Sequence, residues 1–297
     1  MSLHQEGILH ALPAHASYLS LTLKPQADTV AITQALRALQ VLVDGKTLVL
    51  GVGASIVAAL GHTVPGLKEF TGIEGSRVLL PATPAALWCW LRADERGELV
   101  HLSHRVLHAV AAAFDVSQEV DAFVYAGGRD LSGYEDGTEN PEGDAAAAAA
   151  LVSGQQAGVD GSSYVAVQQW RHRFDRLEAM PQAEQDQMMG RRKSDNEELD
   201  DAPASAHVKR TAQENFTPEA FVLRRSMPWS AQGQAGLQFV AFGASLYAFE
   251  AQLRRMSGAE DGVTDALFRF TQPLTGAYFW CPPMLNGTLD LRILGLV

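Results

Sequence analysis

The chain has 297 residues, 47% of them hydrophobic and 19% charged, which is enough for two packed cores and excludes disorder as a whole. A formal net charge of -11 argues against broad attachment to nucleic acid or to an anionic membrane, since both reward excess Lys and Arg, and favours a small-molecule partner. The two cysteines, Cys89 in LWCWL and Cys281 in YFWCPP, sit in apolar aromatic runs and read as buried thiols, so no disulfide framework is expected and a reducing cytoplasm fits. The N-terminal MSLHQEGILHALPAHASYLS has no basic start followed by a long apolar run, and no apolar stretch reaches the ~20 residues of a spanning helix. Secretion and membrane insertion are therefore not expected.

Along the chain, HASYLSLTLK alternates as a strand, and Asp28 to Gly45 reads as a capped amphipathic helix closed by glycine. TLVLGVG and AALWCWLRAD are buried strands, Glu98 to Phe114 is a second helix, and EVDAFVYAGG is a fourth strand. Strand, helix, strand, strand, helix, strand is the split βαβ order of a ferredoxin-like unit. The low-complexity GDAAAAAALVSGQQAG, residues 143–158, separates a first half (1–142) from a second (159–297). The second half repeats the order loosely: SSYVAVQQWRH as a strand, a helical stretch broken at Pro181, the acidic loop KSDNEELDDAPAS, the strands FVLRRSMPW and GLQFVAF, a helix SLYAFEAQLRRM capped by Ser245, a short helix at TDALFRF, and GAYFWCPP. The expected class is α+β: tandem ferredoxin-like sandwiches with largely antiparallel sheets, of the dimeric α+β barrel type. The closing NGTLDLRILGLV reads as a last strand or as a short docking tail for a partner such as an encapsulin shell.

Several local patterns invite chemistry. GVGASIVAALG resembles a phosphate turn but lacks the full GxGxxG spacing, and tight helix packing accounts for it better. His101, His104 and His108 have metal-ligand spacing on one helix but no carboxylate or cysteine in register, so they read as an exposed stripe. HExxH, CxxC, GxSxG and Walker patterns are absent, which removes the commonest zinc-hydrolase, thiol-redox, serine-hydrolase and P-loop readings. In GYEDGTENP, Gly133 and Gly137 flank Asp136 and permit a sharply folded backbone, although DG and NP also make ordinary surface turns. His207, in APASAHVKRT, follows small residues and a polar loop where a packing histidine would be unusual, and alternation in FVLRRSMPW sends either Arg224 or Arg225 inward.

Taken in order, GYEDGTENP, AHVKRT and LRRSMPW resemble the dye-decolourising peroxidase family, in particular its cytoplasmic branch without a signal peptide, and the likeness runs from the first strand to YFWCPP. The resemblance implies one haem b per chain, held mainly by the second half, and hydrogen peroxide-dependent oxidation of dyes, phenolics and other bulky electron donors. It also implies a homo-oligomer. Carried over by motif, His207 is the axial iron ligand, Asp136 the distal carboxylate and Arg224 the distal arginine. Arg191 in GRRK would meet a haem propionate, and Thr138, Glu139 and Asn140 would lie along the haem edge. Ser226 stands where relatives often carry asparagine, which would alter the distal hydrogen bonds. Asp261 and Asp265 are the candidates for the carboxylate that accepts the His207 ring N–H, with Asp265 preferred.

A peroxidase needs one group to take a proton from the peroxide and return it to the outer oxygen. An aspartate remains a base in acid, where histidine is already protonated, so activity weighted toward acidic pH is expected. A fixed guanidinium would stabilise the charge on the leaving oxygen. Trp88, Trp90, Trp170, Trp229, Trp280 and six tyrosines are possible electron relays, but aromatic residues on strands are usually core and none is assigned that role. Two alternatives stand beside the peroxidase: a haem- or porphyrin-handling protein with incidental peroxidase activity, and a non-haem small-molecule-binding protein. A Soret band and a fast peroxide reaction separate the three.

Overall fold

The computed structural model describes residues 3–296. In the first half, β1 (His15–Leu23), α1 (Thr29–Leu42), β2 (Leu48–Val52), the short α2 (Ala54–Ala59), β3 (Leu87–Ala93), α3 (Arg96–Val110) and β4 (Phe114–Phe123) follow in order. Their strands lie β4-β1-β3-β2, all antiparallel, which is the ferredoxin-like order. After α4 (Gly143–Ala150) the second half runs β5 (Ser163–His172), α5 (Phe174–Glu178), α6 (Gln182–Met189), α7 (His207–Thr211), β6 (Leu223–Arg224), β7 (Met227–Ala231), β8 (Gln234–Gly243), α8 (Tyr247–Met256), β9 (Thr271–Pro273) and β10 (Ala277–Cys281). Its antiparallel order is β10-β5-β8-β7. Single bridges at Ala122–Trp229 and Val52–Trp280 join the halves, so eight strands close on themselves. The expected tandem of ferredoxin-like sandwiches is thus one barrel with its helices outside.

Closure buries both faces of β2, β3 and β10, which is why their sequences read as near-continuous apolar runs, whereas β4 leaves most of its residues exposed or half-buried. On β3, Leu87, Cys89 and Leu91 face the helices while Trp88 and Trp90 face the barrel interior beside Tyr18, Phe242 and Phe279. Tyr18, Trp88 and Trp90 stack with ring centroids 6.0 to 6.5 Å apart. Cys89 and Cys281 are buried free thiols on opposite faces, and burial pushes the Cys89 thiol up to about 12.

Four local expectations change. The strand expected at residues 119–128 begins at Phe114 and ends at Phe123, and α3 stops at Val110, because pairing with β1 from Leu23–Phe114 onward outweighs a weak local pattern. Residues 143–150, expected as a featureless join, form α4. FVLRRSMPW is two strands in one register on β8, broken where the Ser226 hydroxyl accepts from Val240 N–H at 3.3 Å. The C-terminal run is neither a strand of the barrel nor a free tail: after a two-residue hairpin, Leu289, Leu291, Leu294 and Leu296 pack into the helix-side core, and Val297 lies outside the described residues.

The glycine turn after β2 serves packing. A Cβ on Gly53 would stand 2.1 Å from Ala85 O, so only glycine lets the two backbones approach there. His101, His104 and His108 lie exposed on α3, with the His104 and His108 rings stacked 6.4 Å apart, and among the described residues no group of three or more His, Cys, Asp or Glu side chains could hold a metal ion. No described helix is long and apolar enough to cross a membrane.

Candidate active site

A cleft of about 1640 Å³, counted out to its open mouth, lies between the outer face of the second half's sheet and helices α7 and α8. Period-two alternation makes its floor: Gln168, Trp170 and His172 of β5 and Leu237 and Phe239 of β8 face the cleft, while Val165, Val167, Val240 and Phe242 face the barrel. Phe249, Leu253 and Met256 of α8 supply an apolar wall. Gln168 is 2% exposed, and its Nε2 has no hydrogen-bond partner, so a buried donor faces the space.

The acidic turn forms one rim. Arg129 and Glu135 bridge, Asp130 N–H donates to Tyr134 O at 2.9 Å, and Asp136 N–H donates to Gly128 O at 3.2 Å. Gly133 (φ 89°) and Gly137 (φ 84°) take left-handed angles on either side of Asp136, the conformation that their lack of Cβ permits. Asp136 Oδ1 then lies 3.2 Å from Arg224 Nη1, with side chains 18% and 24% exposed, a partly desolvated ion pair. The question left open between the two arginines is answered by the register: Arg224 turns to the cleft, while Arg225 binds the carbonyls of Ile8 and Leu9 at 3.0 and 2.8 Å. Burial, and next the charge of Arg92, bring the Arg225 guanidinium down to about 10.

His207 opens α7. The chain reaches it through Ala206 N–H to Pro203 O (2.9 Å), and Ala266 N–H to Ser205 O (2.8 Å) draws the turn carrying Asp265 beside it. His207 Nδ1 lies 2.8 Å from Asp265 Oδ2, and Asp265 is 1% exposed, with its other oxygen accepting from Leu267 N–H. Asp261 is occupied elsewhere by Arg210, at 2.7 and 2.8 Å, so Asp265 is the carboxylate on His207. With Nδ1–H directed at a buried carboxylate, Nε2 keeps its lone pair, and it has no hydrogen-bond partner among the described residues. That is the arrangement of an imidazole ready to bind a metal.

The remaining site residues divide. Arg191 lines the cleft, paired with Glu139 and 3.6 Å from Glu198, and Thr138 lines it while its hydroxyl accepts from Asn196 at 2.9 Å. Asn140 does not line this cleft. Its amide accepts from Arg224 N–H at 2.7 Å and donates to Arg224 O at 3.1 Å. Ser226 lies with Asn140 in a smaller adjoining pocket of about 400 Å³ that shares Asp136 and Arg224 with the main cleft.

Sequence reasoning passed over three residues here. Gln213 ties the turn to β6 by donating to Glu139 O (2.7 Å) and accepting from Val222 N–H (2.9 Å), and nothing in its local sequence marks it. His172 pairs with Asp130 at 2.9 Å, and Gln168 is the buried donor described above. Alternation on QQWRH, which puts Gln168, Trp170 and His172 on one face, was the available signal for a polar-lined face.

Residues 127–286 match the family described as Dyp-type peroxidase, C-terminal. A curated dye-decolorizing peroxidase of Mycolicibacterium paratuberculosis is 34% identical over 73% of this chain and 63% of its own length, so the chain spans less than two thirds of that relative. Among solved structures, a DypB variant of Rhodococcus jostii in complex with heme superposes with a TM-score of 0.86 at 27% identity, covering 95% of this chain and 97% of that one. The encapsulated DyP-type peroxidase of Mycobacterium smegmatis, solved by cryo-electron microscopy, gives 0.81 at 26% identity over 93% and 94%. With a family match over more than half its length and this fold in common, the chain belongs to the Dyp-type peroxidase family.

Proposed function

We propose that the protein is a haem b peroxidase that uses hydrogen peroxide to oxidise dyes, phenolics and other bulky organic donors. The observation that carries this reading is one cleft lined both by an imidazole backed by a buried carboxylate, His207–Asp265, and by a carboxylate–guanidinium pair, Asp136–Arg224. The fit to a porphyrin rests on the donor set: a free Nε2 on His207, an apolar wall from α8 and the β8 side chains Leu237 and Phe239, an orphaned buried donor on Gln168, and Arg191 at the rim for a carboxylate substituent. Haem bound there would supply the iron that binds peroxide and carries its oxidising equivalents to the donor. The related Rhodococcus jostii DypB variant, solved in complex with heme, supports the same reading.

The chain's own residues would then divide the work. Asp265 holds the His207 ring in one orientation and strengthens its donor nitrogen. The Asp136 carboxylate takes a proton from one peroxide oxygen and returns it to the other as the O–O bond breaks. Arg224 places fixed positive charge where the leaving oxygen gathers negative charge. The turn's backbone hydrogen bonds and the Asn140 clamp hold these two groups still, so neither must reorganise during the step.

The Asp136–Arg224 pair also favours a peroxidase over a protein that only stores or transfers porphyrin, since holding porphyrin requires no proton shuttle. Haem-loaded protein should show a Soret band and react rapidly with stoichiometric peroxide. Asp136→Asn should slow that reaction by roughly 10²- to 10⁴-fold while keeping the band. A band with an unaltered peroxide reaction in the variant would transfer support to porphyrin handling; no band after haem supplementation would leave a non-haem binding protein. Homo-oligomerisation and cytoplasmic residence belong to the same proposal, and the encapsulated relative makes shell association the partner to test by co-expression.

A further inference from the structure

His172 lies in the floor of the cleft, 7% exposed, and makes bonds that the proton shuttle does not use. Its Nε2 is 2.9 Å from Asp130 Oδ2 and its Nδ1 is 2.7 Å from Thr271 Oγ1. The Thr271 hydroxyl has one proton, directed to the Arg171 carbonyl at 3.1 Å, and Asp130 presents a second acceptor to the ring. Phe270 and Phe174 pack against the ring with centroids at 5.1 and 5.9 Å, leaving it little freedom to turn. So placed, a histidine of the central strand β5 reaches out of the sheet and grips the acidic turn.

We propose that His172 is a positioning residue for Asp136: by holding Asp130 to the barrel it keeps the acidic turn in the one shape that sets the Asp136 carboxylate against Arg224. The inference rests on the peroxidase reading for its catalytic consequence and on the geometry of the turn for everything else. Asp130 organises that turn. Its carboxylate accepts from Ser132 N–H (2.8 Å), its carbonyl accepts from Gly133 N–H (2.8 Å), and its N–H donates to Tyr134 O (2.9 Å). Burial by itself would raise the Asp130 carboxyl, but the bond and charge of His172 together with the Ser132 bonds outweigh it and leave the group below its ordinary value. A second anchor, Tyr134 O–H to Asp186 Oδ1 at 2.6 Å, ties the same turn to α6, a short surface helix. The His172 anchor instead reaches β5, which is hydrogen-bonded along its length to β8 and β10 and so has little freedom to open. Two left-handed glycines make the turn intrinsically adaptable, so its shape must be imposed from outside.

The test compares wild type with His172→Gln, Asp130→Asn and the double variant. In protein not exposed to peroxide, amide exchange at residues 128–137 should be about tenfold faster in each variant, with the barrel strands as protected as in wild type. In haem-loaded protein, the second-order rate with hydrogen peroxide should fall roughly 10- to 100-fold, while KM for an organic donor and the Soret position stay put. The double variant should be no worse than the worse single variant, because both remove one contact. Asp136→Asn should show the opposite split, with slow exchange retained and the peroxide rate lost. Unchanged exchange and an unchanged peroxide rate in His172→Gln would overturn the proposal, and so would exchange that accelerates across the barrel as well as the turn. A wild type that fails to react with peroxide would sink the peroxidase reading alone, and turn exchange would still decide the role of His172.

Discussion

Asn140 holds Arg224 by its main chain: the asparagine oxygen accepts from Arg224 N–H at 2.7 Å and the asparagine amide donates to Arg224 O at 3.1 Å. One side chain thereby imitates a neighbouring strand along the free edge of β6, and it brings the end of the acidic turn against the arginine that faces Asp136. Asn140→Ala leaves the Arg224 N–H without its partner and the Arg224 carbonyl with only the longer bond from Arg225 Nη1 at 3.3 Å, and should cost about 1–2 kcal/mol in urea unfolding. The peroxide reaction should slow roughly 10- to 100-fold because the guanidinium loses its fixed base. Asn140→Asp keeps the acceptor and loses the donor, and should fall between wild type and alanine in both measurements.

Asp265 serves two groups at once, His207 Nδ1–H and Leu267 N–H. Asp265→Asn can satisfy only one of them without opposing an amide to a donor, and it removes the negative charge behind the imidazole. Haem titration followed at the Soret band should show affinity about 10- to 100-fold weaker. His207→Ala should abolish the normal ligation spectrum altogether.

Gly190 closes α6 with φ 85°, and a Cβ there would stand 2.3 Å from Val208 Cγ2 and 3.2 Å from the Ala206 Cβ, the residues on either side of His207. Gly190→Ala therefore adds left-handed strain to a clash that pushes on the start of α7. A loss of about 2–4 kcal/mol and weakened haem binding should appear together. Gly61→Ala is the control: its φ is 73° but no atom lies within 4 Å of the added carbon, so only the strain, about 1–2 kcal/mol, should register and haem binding should be unchanged.

Arg210 is 4% exposed and holds Asp261 with two bonds, which keep the Asp261 carboxyl down at about 2. Because the folded value is below the unfolded value of ~3.9, the unfolded chain binds more protons between the two, and the contribution is complete above about pH 4 and lost as pH falls through about 2. The carboxylate is 43% exposed, so screening limits its worth to roughly 1 kcal/mol. Wild type should exceed Asp261→Asn by that amount in urea unfolding at pH 7, and the gap should close by pH 2.

Much of the fold was legible because its signals are local. Alternation located β1 and β5 and apolar runs located β3 and β8, Asp28 accepts from Ala31 N–H as the expected cap of α1, and Pro181 separates α5 from α6 where the break was read. Where pairing partners decide, local reading failed: β4 starts at Phe114 through its register with β1, and FVLRRSMPW splits at a serine whose hydroxyl takes a ladder bond. β9 was not anticipated, since three residues have too little pattern to be seen.

The amino-acid sequence by itself determined two ferredoxin-like orders of elements and the glycines on either side of Asp136, and its ordered motifs carried the family resemblance that implied His207, Arg224 and Arg191. Only the tertiary structure decided which partner each polar side chain takes: Asp265 and not Asp261 on His207, Arg224 and not Arg225 in the cleft, Asn140 on the backbone of Arg224, and His172 on Asp130. The reason is physical. Period and propensity act between residues a few positions apart, whereas these hydrogen bonds join residues 42 to 217 apart in the chain, and those of His172, Asn140 and Arg225 cross from one half to the other, so their partners meet only once the two halves have closed into one barrel.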